Sequence, residues 1–417
     1  MWQQLLFGVY QLAIRLYGLA IRIVALRSSK ARDWINGRNN PTPYPKKKGD
    51  LQPIWFHAAS TGEFEQGLPI MEYIRQKTPN QPILLTFFSP SGYHAAQKYS
   101  EAFIIEYLPL DTMKKAREFV DKWKPNMAIF IKYEIWPSYL SALHEKKIPS
   151  LVVSSRWRPQ QLYFRWGRPL FFPLLAKLDH IFVQDALSEE VLKAEGIFGV
   201  TRAGDTRIDR VMEVSAEEFD HPLCSAISPE ERILILGSSW PADEKILFEA
   251  MSERSWPCFD RILIVPHELS EAHLESLADL ATLTHCTINQ ETPDPKAKII
   301  IVNEMGILAY LYRLADVAYI GGGFGDGIHS ILEAAVYGIP VIFGPKHHKF
   351  KEAEDLIRIG AAMSVSDKNG LISAVSHFSD SATRKEVKDI QSNYFKKQSG
   401  ASPKIGQYII ERLKGKK

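Results

Sequence analysis

Along most of this chain, short apolar runs alternate with stretches whose apolar residues recur at helical spacing. "PIWFHA", "PILLTFF", "FIIEYLP", "MAIFIKY", "SLVVSS" and "HIFVQD" read as strands, each followed by a helix-like segment. Runs of this length fit strands buried on both faces, and their alternation with helices predicts a parallel sheet covered on both sides. Past Asp209 the pattern dissolves into "VMEVSAEEFDHPLCSAISPEE", which is acidic and less apolar. It restarts with "RILILGSS", "DRILIVPH", "KIIIVN", "VAYIGGG" and "IPVIFG". The simplest account is two Rossmann-like, doubly wound α/β domains, 31–210 and 231–400, with a linker at 211–230. A last helix at 401–417 is then free to pack back on the first domain. A length of 417 residues, more than one ordinary core holds, agrees with two domains. In open sheets of this kind ligands sit outside the carboxyl ends of the strands, so chemistry is expected just after each strand.

Residues 1–30 stand apart. Gln4, Gly8, Gln11, Arg15, Gly18 and Arg22 recur at three- and four-residue steps, which on a helix makes one polar or small stripe along an otherwise apolar cylinder. Spanning a bilayer would place Arg15 and Arg22 inside it, at roughly 2.5–3.5 kcal/mol each near the centre. A helix lying in the membrane interface avoids that cost. The alternative is an N-terminal helix packed on its own domain. A signal peptide fits poorly, because no small-residue cleavage site follows and the basic residues come late, at Arg27, Lys30 and Arg32. Late positive charge suits an anionic cytoplasmic leaflet. A proline-rich, basic linker, "NNPTPYPKKKGD", comes next.

Composition changes this picture little. The net charge of +3 is too mild to argue for nucleic acid. Cys224, Cys258 and Cys286 have neither paired spacing nor an even count, which disfavours a disulfide frame or a zinc site. No D-x-D, H-E-x-x-H or Walker-type segment occurs, so neither a metal nor a cofactor is expected.

The candidate chemistry falls after strands. In "YIGGGFGDGIHSILEAAVYG", glycines after Ile320 permit close backbone approach, and "HSILEAAVYG" reads as a helix closed by Gly338. His329 and Ser330 would open it, with Glu333 one turn in. Amides at a helix start attract phosphate, and Glu333 suits ribose hydroxyls or else completes a cap. Ser238 and Ser239 follow another strand, ahead of Asp243 and Glu244. Pro266 and His267 follow a third, and Met305 and Gly306 precede a helix. Singly these are ordinary turns and caps; together they outline a nucleotide-sized crevice on one sheet edge.

In the first half, Glu63 follows Ser60, Thr61 and Gly62 where a strand turns into a helix. Amides there would orient the carboxylate and favour its charged form, fit to take a proton from an attacking hydroxyl. The bland reading is a first-turn acid that only offsets the helix dipole. "IKYEIWP" adds Lys132 and Glu134, and "GDTRID" adds Arg207 and Asp209. "SSRWRPQQLYFRWGRPLFFPLLAK" interleaves Arg156, Arg158, Arg165 and Arg168 with aromatics. That mixture suits an anionic lipid more than RNA, or a partly buried helix with snorkelling arginines.

"FHAASTGEFEQGLPI", "YEIWPSYL", "MGILAYLYRLADVAYIGGGF" and "HSILEAAVYGIPVIFGP", with "FKEAEDL" after it, resemble in order and spacing the 3-deoxy-D-manno-octulosonic acid (Kdo) transferases of lipopolysaccharide synthesis. The resemblance implies a GT-B glycosyltransferase, two domains facing across a cleft, at the cytoplasmic face of the bacterial inner membrane. It implies transfer of Kdo from CMP-Kdo to the lipid A precursor with inversion, other membrane lipids being the further partners. It also implies that Glu63 is the general base, with Ser60, Thr61 and Gly62 beside the acceptor. CMP contacts fall on Pro266 and His267, on Met305, Gly306 and Ile307, and on Ser330, Ile331, Leu332 and Glu333. Arg207 and the residue preceding "EIWP" by two would assist the transition state. This chain departs from the family at His267, where an arginine is usual, at Ile307 for a glutamate, at Ser330 for an asparagine and at Arg207 for a lysine. Lys132 stands where the family has an acid, a reversal of charge. A different nucleotide-sugar transferase and a nucleotide-sugar epimerase are the competing readings.

Overall fold

The computed structural model describes residues 2–40, 51–257, 259–282 and 297–415. The core of the basic linker, 41–50, and Cys258 and Cys286 lie outside them; Cys224 is a free thiol. The chain forms two compact units, Met1–Arg210 with Ser399–Lys417, and Val211–Gln398.

The first unit holds a seven-stranded sheet, ordered β3-β2-β1-β4-β5-β6-β7. Its strands are β1 (Ile54–Ala58), β2 (Ile83–Phe87), β3 (Ile104–Tyr107), β4 (Met127–Ile131), β5 (Ser150–Ser155), β6 (His180–Val183) and β7 (Val200–Arg202). Every pairing is parallel. Central strands are buried along their whole length, which is why they read as unbroken apolar runs. Trp55, Phe130, Trp123, Tyr139 and Trp157 fill one sheet face; Phe56, Phe64, Leu68 and Ile129 fill the other. The helix Ala401–Lys414 adds Ile405, Ile409 and Ile410 to that second face. It packs on α3 (Thr61–Lys77) closely enough that a Cβ at Gly406 would lie 2.4 Å from the Tyr73 ring. The buried Asp209 fixes the start of this last helix, accepting from the amides of Gly400 and Ser402 at 2.6 Å each.

The N-terminal helix, α1 (Trp2–Val24), is followed by α2 (Ser29–Asn39). Its polar stripe meets the protein only at Gln11 and Gly18; Gln4, Gly8, Arg15 and Arg22 are exposed. Tyr10 donates to Asp111 Oδ2 at 2.7 Å, Gln11 donates to Ser138 Oγ at 2.7 Å, and Met113 N donates to Gln11 Oε1 at 2.9 Å. Gly18 is buried against Leu110, whose Cδ1 would sit 2.6 Å from any Cβ there. The apolar side is left outward, with Leu12 57%, Leu16 56% and Ile23 70% exposed. By length and composition Gln4–Val24 is apolar enough to cross a membrane. So many exposed apolar residues along one helix weigh for membrane association.

The second unit has a six-stranded parallel sheet, ordered β10-β9-β8-β11-β12-β13. Its strands are β8 (Ile233–Ser239), β9 (Arg261–Pro266), β10 (Ile299–Ile301), β11 (Val317–Ile320), β12 (Val341–Phe343) and β13 (Ala362–Ser364). The stretch read as a linker is largely ordered, helical over Thr206–Ala216 and Pro222–Ala226. Its middle docks on the second unit, where Tyr310 donates to Glu217 at 2.6 Å and Phe219 stacks on Tyr310 at 4.8 Å.

Asp111 is wholly buried and accepts from the amides of Ser138 and Tyr139 as well as from Tyr10. Asp111→Ala leaves these donors without a buried acceptor, at about 1–3 kcal/mol apiece before relaxation. The expected outcome is a lower urea midpoint together with faster proteolysis after α1, whereas an unchanged midpoint would show that α1 is held by other means.

Candidate active site

In each sheet the strand order reverses once, between β1 and β4 in the first unit and between β8 and β11 in the second. Crossovers on the two sides of such a point leave by opposite faces and open a crevice at the carboxyl ends of the strands. The residues singled out from sequence cluster at both reversals.

At the first, β1 ends at Ala58 and α3 begins at Thr61, so Glu63 lies in the first turn with Ser60 as N-cap. Its carboxylate turns back on the strand end and accepts from the Ala59 amide at 2.5 Å. Across the reversal, Lys132 and Glu134 follow β4. Lys132 holds a left-handed backbone, φ +58°, with its amide bonded to Val153 O at 2.9 Å. Ser154 on the next strand is also left-handed, φ +56°. Such conformations cost non-glycine residues about 1–3 kcal/mol and gather at working sites. Glu134 accepts from Trp136 Nε1 at 2.8 Å and lies 3.4 Å from Nε2 of the fully buried His57. His57 Nδ1 is occupied by Thr86, 3.1 Å from its carbonyl and 2.9 Å from its hydroxyl. The sequence analysis passed over His57 and Trp136, although both lie inside the quoted motifs.

Burial, and next the Glu134 carboxylate, push the Glu63 carboxyl up to about 7. The Ala59 amide, Lys132 and the Ser60 amide oppose them without prevailing. This corrects the expectation that helix-start amides keep Glu63 charged well below neutrality; desolvation and a like charge outweigh them. The result is a carboxylate poised near the pH at which a general base works best. Lys132, in the place of a family acid, lends its positive charge to Glu63.

Arg207 is in a bidentate pair with Asp205 in its own turn, with Nη2 2.6 Å from Oδ2. The arginine-aromatic stretch is also structural in part. Arg156 and Arg158 both pair with Asp185, at 3.2 and 2.8 Å; burial pushes that carboxyl up, but hydrogen bonds from Arg158 and Ser188 prevail and hold it well below its usual range. Arg168 pairs with Glu195 and lies over Phe172. Pairing with these half-buried acids gives Arg156, Arg158 and Arg168 an internal role beside the lipid role expected of them. Arg165, beside the 84% exposed Trp166, stays at the surface.

At the second reversal, Ser238 is left-handed, φ +52°, and a Cβ at Gly321 would sit 2.2 Å from its carbonyl oxygen. Only glycine lets the two strand ends approach so closely. Asp243 ties them together, accepting from the amides of Gly322 at 2.9 Å and Trp240 at 3.1 Å and from Tyr319 at 3.0 Å. Above them three rings stack. His267 lies 4.8 Å from Trp240 and 4.3 Å from His329, and Trp240 Nε1 donates to His329 Nε2 at 3.0 Å. Burial, then His267, lowers the His329 pKa, so a neutral imidazole accepts the indole proton.

Several expected donor contacts are not available as side chains. Ser239 is buried and donates to Glu244 at 2.7 Å; Ile331 and Leu332 are core residues, and Ile307 is nearly so. The helix read from His329 is a single turn, Leu332–Ala335, with Ser330 and Glu333 half-buried beside it and Gly338, φ +79°, after it. Met305 is 72% exposed and Gly306 is left-handed, φ +88°. His347, His348 and Glu354 are the group of described residues whose ligand atoms, within 4.8 Å of one another, could hold a metal ion.

A family model described as 3-deoxy-D-manno-octulosonic-acid transferase (kdotransferase) matches residues 33–210. Curated relatives of that name match most of the chain. The one from Rickettsia prowazekii is 24% identical over 372 residues, 87% of this chain and 79% of its own. The Bordetella pertussis protein is 26% identical over 389 residues, covering 86% and 88%. Among solved structures, UDP-GlcNAc 2-epimerase from Neisseria meningitidis bound to UDP-GlcNAc aligns at a TM-score of 0.61 and 14% identity, over 87% of this chain and 99% of that one. Likeness at that identity concerns the fold alone. Fold and sequence together make this chain a glycosyltransferase of the GT-B class. Within that class its sequence is similar to Kdo transferases, through the family model over residues 33–210 and through curated relatives along most of the chain, in keeping with its motifs.

With Glu63 pushed up to about 7, about a tenth of it is ionised at pH 6, and a reaction that uses it as base should slow about tenfold per unit below neutrality. Glu134→Gln removes the like charge that raises Glu63, and the acid limb of the kcat profile should move to lower pH. A limb that stays in place, or moves up, excludes this pairing.

Proposed function

We propose that this enzyme transfers Kdo from CMP-Kdo to the lipid A precursor, at the cytoplasmic face of the inner membrane, with inversion at the anomeric carbon. The observation that carries the proposal is the tuned Glu63 carboxyl at the β1/β4 reversal of a chain similar to Kdo transferases. The relatives' names supply the sugar. In the second unit, the ring stack of Trp240, His267 and His329 offers a face for cytosine, and the amides after β11 lie beside it for phosphate.

The step balances simply. An acceptor hydroxyl gives its proton to Glu63 as its oxygen bonds to the anomeric carbon, and the bond from that carbon to the CMP phosphate breaks. The phosphate leaves as an anion, met by the backbone amides after β11. Lys132 holds negative charge near Glu63, either the base's own or that of the donor carboxylate. His267, replacing an arginine of the family, meets the donor as a stacking ring and not as a guanidinium fork.

An epimerase shares the fold but has no use for an outward apolar helix, and its resemblance here is structural only. Incubation with CMP-Kdo generated in situ and a tetraacylated acceptor, read by mass spectrometry, should add the mass of Kdo, while UDP-sugars add nothing. No Kdo increment beside an active control enzyme would refute the assignment. Glu63→Ala should lower kcat about 10²–10⁴-fold and leave CMP binding nearly intact. His267→Ala should weaken CMP binding roughly tenfold in calorimetry, from the loss of one stacking partner.

A further inference from the structure

Between α1, α2 and the loop around Leu110 lies a cavity of about 330 Å³ whose lining includes Arg15, Arg22, Arg38 and Lys115 and no carboxylate. Arg38 is the best fixed. Its guanidinium lies 3.6 Å over the Trp34 ring and donates to three carbonyls, Leu108 O at 2.9 Å, Phe88 O at 2.7 Å and Trp34 O at 3.1 Å. Burial without an acid partner pulls its pKa down to about 9. Lys115 is likewise pulled below its ordinary value, by burial and then by the charges of Arg22 and Arg38. Arg15 and Arg22 have no carboxylate partner among the described residues. Four cations thus share one concavity that no carboxylate lines, with Glu118 offsetting part of the charge on Lys115, while several other arginines of this unit are matched directly to acids.

The same cavity runs into apolar surface. Leu19 is one of its walls and, 54% exposed, also belongs to the outward stripe of Leu12, Leu16 and Ile23. A small cationic pocket opening onto an apolar strip complements an amphiphile with a compact anionic head. The volume suits a headgroup and is too small for acyl chains as well. Guanidinium groups converging from several sides favour a terminal phosphate, with three free oxygens, over a phosphodiester with two.

We propose that this cavity binds the phosphate monoester head of a membrane amphiphile, whose acyl chains lie along the exposed face of α1. The proposal rests on reading the enzyme as acting at a membrane, and not on which sugar it transfers; it places the lipid-phosphate contacts on α1 and Lys115 instead of the arginines at 156–168.

The test uses the full chain and vesicles of phosphatidylcholine containing phosphatidic acid or phosphatidylglycerol, matched for surface potential. The wild type should partition at least tenfold more strongly onto phosphatidic acid. Arg15→Gln/Arg22→Gln/Lys115→Gln should reduce binding to the phosphatidylglycerol level, and Arg165→Gln should leave the preference in place. Lys115→Gln alone, with an unchanged melting curve, should show a partial loss and guards against misfolding of the triple variant. Equal binding to both anionic lipids, or a triple variant that keeps the preference, overturns the proposal. Inorganic phosphate arbitrates the source. If at millimolar concentration it saturates the pocket in calorimetry and abolishes vesicle binding, the ligand is free phosphate and the lipid assignment falls. Because none of these readouts involves sugar transfer, a failed Kdo assay and a failed vesicle assay remain distinguishable.

Discussion

The organising constraint is the single reversal of strand order in each parallel sheet. A parallel sheet places all its carboxyl ends on one edge, and the chain leaves every strand there with amides and side chains to spare. Where neighbouring crossovers diverge, the edge is uncovered. In the first unit that uncovered place lies between β1 and β4, and Glu63, His57, Lys132 and Glu134 emerge at it. In the second it lies between β8 and β11, bringing Ser238, Trp240 and the glycines after Ile320 together. Three of the six described non-glycine residues with positive φ, Lys132, Ser154 and Ser238, lie at or near strand ends at these spots.

Electrostatics then turns position into chemistry. A first-turn glutamate is ordinarily an acid with a helix dipole to please, and by itself Glu63 would be unremarked. Burial, and next Glu134 on the neighbouring strand end, changes its proton affinity to one suited to neutral pH. Glu134 in turn is steadied by the Trp136 indole and sits against a histidine whose other nitrogen is committed to Thr86. The site is thus a small set of acids and bases held by the sheet itself, with no long loop needed to position them.

Much of this was legible because buried strands are apolar throughout and helices follow them. The strands overlooked, β7 and β13, are three residues long at sheet margins, with only Val200 and Ala362 buried. Such strands owe their existence to a neighbour and carry no pattern of their own. The stripe on α1 was visible, but not that Gln11 and the neighbouring Tyr10 dock on the protein while its arginines stay exposed, because Asp111 and Ser138, which receive them, are distant in sequence. The arginine-rich segment misled for the same reason, since Asp185, which claims two of its charges, lies well downstream. The charge state of Glu63 depended on Glu134 across the reversal. Motif likeness identified donor residues by place, yet Ile331 and Leu332 hold their places for the sake of the core.

The second unit interrupts the first: the chain leaves after Arg210 and returns only at Ser399. Ile405, Ile409 and Ile410 complete a hydrophobic face laid down by residues made far earlier, and Asp209 waits for the amides of Gly400 and Ser402. During synthesis, therefore, the sheet bearing Glu63 keeps part of its apolar surface bare while the whole intervening unit is translated. The order of manufacture makes the second unit the first to finish and the Glu63-bearing unit the last, so nascent-chain quality control has its longest exposure to the half that holds the tuned carboxyl.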